Sequence, residues 1–265
     1  MIKLIASDID GTLLPYGQRE LNPRLFPLIE RLWARGVLFC PASGRQYHSL
    51  RRLFAPIADH LAYLCENGAI LYGPGPEETA PVLAQTPMPR EEALALAEEM
   101  CSTPLPGHVV ITAGNMSYLL RGSPFLEPFR RHTGNRITQV DAFSQIDEPI
   151  LKVSVYGEEG PDPWQAVLAP RWAERFHMAK AGAGWLDFTL SDKGSGLRQL
   201  CSALHLTPEE TAAFGDNYND VAMLDYAGAA YLMEGSDPAL KAHFPRHCAS
   251  VEDTLEEMLA ALEAK

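Results

Sequence analysis

Leu4-Ile5-Ala6-Ser7-Asp8-Ile9-Asp10-Gly11-Thr12-Leu13-Leu14 is the segment from which the rest of the chain can be read. The run from Ile2 to Ser7 is apolar without alternation, as expected of a strand buried on both faces of a parallel sheet. Asp8 and Asp10 stand two apart, so they project together from the C-terminal edge of that strand. In open α/β sheets this edge is where ligands bind. An acidic pair ending a strand is also what an ordinary solvated turn shows. Gly11 adds a point where the backbone can bend, and the amides of Ile9 and Gly11 are expected to face a bound anion.

A second edge of the same kind follows the apolar strand Thr211–Phe214, at Gly215-Asp216-Asn217-Tyr218-Asn219-Asp220. Asp216 or Asn217 alone would satisfy the first amides of a following helix. Four polar groups in five positions exceed what a cap needs. If Asp216 and Asp220 meet Asp8 and Asp10, the carboxylates repel one another unless a cation sits among them. A hard divalent ion with oxygen ligands, completed by a substrate phosphate, describes Mg²⁺. Ser43-Gly44-Arg45 ends a further apolar strand, Val37 to Ala42, and places a hydroxyl and a flexible amide at the same edge. Lys193-Gly194 stands just before a helix, whose dipole and free amides favour a phosphate.

Between these motifs the pattern is β-α-β-α-ββ. Asn22-Pro23 starts one helix and Gly36 closes it. A helix carrying Arg51 and Arg52 follows, and Asn67-Gly68 signals a hairpin between Leu61–Cys65 and Ala69–Tyr72. Gly73-Pro74-Gly75-Pro76 marks an exit into another unit. The middle holds helices at Arg90–Met100, Pro124–His132 and Pro163–Leu168. Its strands are expected at His108–Thr112, Ser117–Leu120, Ile150–Tyr156, Phe176–Lys180 and Trp185–Thr189. After Gly194 a helix, Thr211–Phe214, another helix and Ala229–Met233 restore the β-α alternation. Leu255, Met258, Leu259 and Leu262 then form one helical stripe. The expected fold is α/β: a doubly wound, Rossmann-like parallel sheet from residues 1–81 and 188–265, with an α+β module of residues 82–187 inserted.

The 265 residues are 46% hydrophobic and 21% charged, which fits an ordinary globular chain. The 34 acids against 22 bases give a net charge of −12, which disfavours nucleic acid and anionic membrane as partners. A single local cation can still reverse the field within a pocket for a small phosphorylated substrate. The five cysteines are widely spaced with no C-x-x-C pair, as expected of free thiols in the cytoplasm. The N-terminus has no basic region ahead of an apolar run, and no apolar stretch reaches membrane-spanning length. His243 and His247 have a zinc-like spacing, but Pro245 between them breaks a helix.

Asp8-x-Asp10-Gly11-Thr12-Leu13-Leu14, Ser43-Gly44-Arg45, Asn67-Gly68-Ala69, Lys193-Gly194 and Gly215-Asp216-Asn217-x-Asn219-Asp220 together resemble the haloacid dehalogenase superfamily of phosphatases, at closer range the Cof-type hydrolases. The resemblance implies that Asp8 is the nucleophile, Asp10 the general acid/base, and Lys193 a catalytic phosphate clamp. It implies substrate-phosphate contacts from Gly11, Ser43, Gly44 and Asn219, with Thr12, Arg45 and Asp220 in support. Mg²⁺ would be held by Asp8, the Asp10 carbonyl and Asp216. A carboxylate already ionised at neutral pH can attack phosphorus without a base, so an aspartyl phosphate is the expected intermediate. The long insertion lies between Ser43 and Lys193, which in the family is an α+β cap that supplies substrate contacts. Arg45, His108, Asn115 and Lys180 are candidates to read the leaving group.

The expected activity is Mg²⁺-dependent hydrolysis of small phosphorylated metabolites, sugar phosphates above others, by a monomer or homodimer. A phosphoglycosyl-acid phosphatase or a sugar phosphomutase of the same superfamily is the alternative. A phospho-accepting signalling module or a silent phosphate binder is the alternative of another class.

Overall fold

The computed structural model describes residues 1–182 and 184–263. The N-terminal part contributes β1 (Leu4–Ser7), α1 (Leu25–Trp33), β2 (Leu38–Pro41), α2 (Tyr47–Leu53), β3 (Tyr63–Cys65), β4 (Ile70–Tyr72) and β5 (Val82–Gln85). The middle contributes α3 (Arg90–Ser102), β6 (Gly107–Ala113), β7 (Met116–Leu120), α4 (Leu126–Thr133), β8 (Ile137–Val140), β9 (Ile150–Gly157), α5 (Asp162–Trp172), β10 (His177–Ala181) and β11 (Trp185–Thr189). The chain then returns with α6 (Lys193–Ala203), β12 (Thr211–Gly215), α7 (Val221–Tyr226), β13 (Ala229–Met233), α8 (Pro238–His243), β14 (His247–Cys248) and α9 (Val251–Glu263).

The core sheet has the order β14-β13-β12-β1-β2, and every pairing in it is parallel. Its strands bury both faces, which is why they read as unbroken apolar runs. Ile5, Phe39, Ala212 and Phe214 pack toward α1 and α9 on one side. Leu4, Ala6, Cys40 and Ala213 pack toward α6 and α7 on the other. The helices on both sides make the sheet doubly wound, as expected. After β1 the chain runs to β2 on one flank, whereas β12 leads on to β13 on the other. The strand order therefore reverses between β1 and β12, and this is where an open α/β sheet opens a crevice for a ligand. Asp8 and Asp216 follow directly on those two strands.

The inserted module is a six-stranded sheet of order β10-β11-β9-β6-β7-β8, antiparallel except for the β7–β8 pair. Leu96, Met100, Trp164, Leu168 and Trp172 of α3 and α5 cover one face of it, against Val153, Val155, Leu186 and Phe188. The alternate residues of those strands, among them Lys152, Ser154 and Asp187, face the core. Two differences from the expected boundaries follow from pairing. Val82–Gln85 pairs antiparallel with β4 beside the core, although it was expected to open the insertion. Phe188 and Thr189 complete β11 in the module's sheet, as the expected strand Trp185–Thr189 requires, so the module runs two residues past the expected boundary at 187. The Asn67-Gly68 hairpin forms, with Glu66, Asn67 and Gly68 all at positive φ.

The described cysteines are free, and all but Cys101 are buried. His243 ends α8 while His247 lies in β14, so they do not share a helix. No helix among the described residues is long and apolar enough to cross a membrane.

Candidate active site

The β1 and β12 edges meet around one buried ion cluster. Asp8 leaves the end of β1 only 5% exposed. Lys193, the first residue of α6, is 2% exposed and donates from Nζ to Asp8 Oδ1 and, at 2.6 Å, to Asp220 Oδ1. Asp220 Oδ2 in turn accepts from the amides of Asp216 and Asn217, each at 3.1 Å. Asp220 is thus fully engaged in holding Lys193 and shaping the β12 loop. Asp216 accepts from the Tyr16 hydroxyl at 2.9 Å through Oδ2. Two glycines permit this approach. Gly11 has φ +98°, and a Cβ there would lie 2.2 Å from Asp216 Oδ2. At Gly194 a Cβ would strike the Ala222 backbone at 2.5 Å, so glycine lets α6 press against α7 and deliver Lys193.

Asp8, Asp216 and Asp220 each present an oxygen within 4.8 Å of the others. The buried Asp8 Oδ2 has no hydrogen-bond partner, which is costly unless something else satisfies it. Three carboxylates against one ammonium leave excess negative charge. Burial and the neighbouring Asp220 push the Asp8 carboxyl up to about 7, while Lys193 pulls the other way. Burial also raises Asp216, partly offset by its bond from Tyr16. For Lys193 burial is the largest influence and would lower its pKa, but Asp220 and Asp8 outweigh it and raise it. An oxygen-seeking divalent ion suits the orphaned Asp8 oxygen and the surplus charge, so the residues fit Mg²⁺.

The other expected residues divide. Asp10, Ser43, Gly44, Arg45 and Asn219 line one cavity of about 380 Å³ together with Asp8, Lys193 and Asp216. The Asp10 side chain, 50% exposed, turns away from the acidic cluster. It accepts from Arg45 at 3.0 Å and 2.5 Å. Its carboxylate therefore stands apart from the Asp8, Asp216 and Asp220 oxygens. Gly11 does not match its expected phosphate contact: its amide donates to the Leu14 carbonyl at 2.9 Å, so it is not free for an anion. Thr12 is buried beneath the loop with its hydroxyl unpartnered, outside the cavity lining. Of the candidates for reading the leaving group, Arg45 and Lys180 line the cavity, with Lys180 paired to Asp162. His108 instead stacks on Phe125 and pairs with Glu158, and Asn115 binds His48 N and Glu77.

A second buried ion cluster, not foreseen from the sequence, joins the cap sheet to the core. Lys152 of β9 reaches Glu66 Oε2 at 2.6 Å, Asp187 Oδ2 at 3.3 Å and the Gly44 carbonyl at 2.8 Å. The Glu66 contact is an ion pair without the alignment of a hydrogen bond. Asp187 also accepts from Ser154 at 2.7 Å and from Asn67 at 3.4 Å. Burial raises the Glu66 carboxyl despite Lys152. Gln46 makes a separate bridge, donating to Ser117 Oγ and accepting from the Arg136 amide at 2.7 Å. The only sequence signal for Lys152 was the alternation in β9, where Leu151, Val153 and Val155 flank the polar Lys152 and Ser154.

A family model for haloacid dehalogenase-like hydrolases matches residues 5–254. The chain belongs to that family. It is similar to the 5-amino-6-(5-phospho-D-ribitylamino)uracil phosphatase YbjI of Escherichia coli (strain K12), with 27% identity over 91% of this chain and 88% of that protein. It is also similar to the pyridoxal phosphate phosphatase YbhA of the same organism, with 25% identity over 91% and 90% of the two chains. A crystal structure from Eubacterium rectale superposes with a TM-score of 0.84 at 29% identity, over 97% of this chain and 99% of that one. This haloacid dehalogenase-like hydrolase is a Cof-type phosphatase, a phosphoric monoester hydrolase acting on small phosphorylated metabolites.

Proposed function

We propose that this Cof-type phosphatase hydrolyses hydroxyl-bearing phosphate monoesters, sugar phosphates among them, in two steps through phosphorylated Asp8. The observation that carries this reading is the divided Asp8 carboxylate. One oxygen is fixed by Lys193, and the other is buried without a partner beside Asp216.

Asp8, Asp216 and the Asp10 carbonyl would hold Mg²⁺, which when bound offsets the charge of carboxylates and phosphate. Lys193 steadies Asp8 and presents a cation to the phosphoryl oxygens, and Ser43, which lines the same cavity, offers its hydroxyl. An Asp8 oxygen bonds to phosphorus as the bond to the ester oxygen breaks. Asp10 gives the departing oxygen its proton, and later takes one from the water that attacks phosphorus and frees Asp8. Both Asp10 oxygens now rest on Arg45, so this work requires the pair to loosen as substrate enters. We assign catalysis to residues 1–85 and 190 onward, substrate contacts to the cap of residues 86–189, and the chain to the cytoplasm.

The test is inorganic phosphate release from a panel of phosphate esters, with Mg²⁺ and with chelator. Turnover that needs Mg²⁺ and vanishes in Asp8→Asn supports the reading. Full activity in Asp8→Asn overturns it.

A further inference from the structure

The loop Ser43-Gly44-Arg45 is held by its three carbonyls, and the holding groups come from two different units. The Ser43 carbonyl accepts from the Asn67 amide at 3.0 Å, and the Arg45 carbonyl from the Glu66 amide at 3.2 Å. Both donors belong to the turn between β3 and β4, in the core. The Gly44 carbonyl between them accepts instead from Lys152 Nζ of the cap strand β9, at 2.8 Å. The Asn67 side chain lies against Gly44, where a Cβ would come within 3.0 Å of its Oδ1. Asn67 Nδ2 in turn donates to Asp187 of the cap at 3.4 Å. The set of contacts on this loop is complete only with the cap seated on the core.

A trans peptide is planar with its N–H opposed to its C=O, so holding one end directs the other. The Gly44 carbonyl and the Arg45 amide belong to the same peptide. That amide donates to Ser43 Oγ at 3.3 Å. A hydroxyl that accepts there keeps its own proton for a further partner, and Ser43 Oγ donates to no group among the described residues. Ser43 is buried and lines the cavity beside Asp8 and Lys193, so the proton is left for a ligand in that cavity. A cation on the Gly44 carbonyl also polarises the peptide and makes the Arg45 N–H a better donor. Lys152 has little charge to spare for a ligand, since Glu66 and Asp187 flank it at 2.6 Å and 3.3 Å. Its route to the phosphate is the peptide.

We propose that Lys152 is a positioning residue for the phosphate site: from the cap it holds the Gly44–Arg45 peptide, which turns the Ser43 hydroxyl so that its proton is presented to a phosphoryl oxygen. This rests on the phosphatase reading above and adds a cap residue that acts on phosphate without touching it. Phosphate binding then depends on the seated cap, whatever the leaving group.

The experiment titrates inorganic phosphate calorimetrically into the enzyme in Mg²⁺ and measures KM and kcat for p-nitrophenyl phosphate alongside. Lys152→Met should weaken phosphate and raise KM by roughly tenfold, as expected for one hydrogen bond to a charged group. Because that bond serves bound substrate and transition state alike, kcat should change by less than about threefold. Ser43→Ala should show the same pattern. In the double variant the loss should stay within about threefold of Ser43→Ala alone, because Lys152 acts through the hydroxyl that is already gone. A lysine that only ties cap to core, or that reaches phosphate by itself, does not give this non-additivity. If Lys152→Met fails to fold, Lys152→Met with Glu66→Gln, compared with Glu66→Gln alone, carries the same test. Unchanged phosphate affinity on losing Lys152, a loss borne by kcat alone, or a double variant weaker than that limit overturns the inference, while wild-type turnover keeps the phosphatase reading. No phosphate release by the wild type from any phosphate ester overturns both.

Discussion

Replacing Lys152 with methionine should destabilise the protein by about 3–5 kcal/mol, because it strands two buried carboxylates. The Nζ lies 2.6 Å from Glu66 and 3.3 Å from Asp187, whose side chains are 2% and 5% exposed. At an effective dielectric of about 20 these pairs attract by roughly 6 and 5 kcal/mol. Most of that is offset by the cost of taking three charges from water, so the pair sum greatly exceeds the net loss. Methionine fills the space of the lysine stem but leaves Glu66, Asp187 and the Gly44 carbonyl without their cation. Adding Glu66→Gln removes one stranded charge and should recover about 2 kcal/mol. Urea unfolding followed by fluorescence is a suitable assay, since three of the four tryptophans, Trp164, Trp172 and Trp185, lie in the cap. A Lys152→Met loss below about 1 kcal/mol, or no recovery in the double variant, would refute the view that this cluster ties cap to core.

Lys193→Met should lower kcat/KM by about a hundredfold or more while the fold survives, because it removes the preset cation at the site of charge development; a loss below tenfold in a phosphate-release assay would be inconsistent. In chelator, stability should fall with rising pH. Folding raises the Asp8 carboxyl from 3.8 to about 7, so its stabilising share is complete below about pH 4 and lost as pH climbs through 7. The melting temperature of wild type relative to Asp8→Asn should trace that decline, and a parallel pair of curves would count against it. Gly11→Ala should cost about 1–3 kcal/mol from its positive φ alone, and more from the contact with Asp216, read as a lower melting temperature.

The parts of this molecule that were legible in the sequence are those where a local pattern has one physical meaning. The apolar runs before Asp8 and Asp216 could only be strands buried on both faces, and their acids had to stand at one sheet edge. The β11 boundaries likewise match the alternation of Trp185–Thr189. Elements fixed by distant partners were harder to see. β8 is four half-buried residues at a sheet edge, with no periodic signature. β5 follows a proline-rich turn that looked like a domain exit, yet it is held by pairing to β4. Helix α5 was expected to stop at Leu168, but Trp164, Leu168 and Trp172 bury along one stripe and carry it past Pro170. In the site, Lys193, Asp216 and Asp220 came from motifs, whereas Glu66, Lys152 and Asp187 meet only because the cap folds over the core. The Gly11 amide was misjudged because the tight return of the chain at Leu14, which consumes it, is a contact that glycine permits and does not announce.

The most direct measurement is the mass of the peptide containing Asp8, isolated after acid quench during steady turnover of a good phosphate ester. One phosphoryl group on Asp8, removable by hydroxylamine, is the predicted result. An active enzyme that carries no phosphoryl group there, or carries it on another residue, would contradict it.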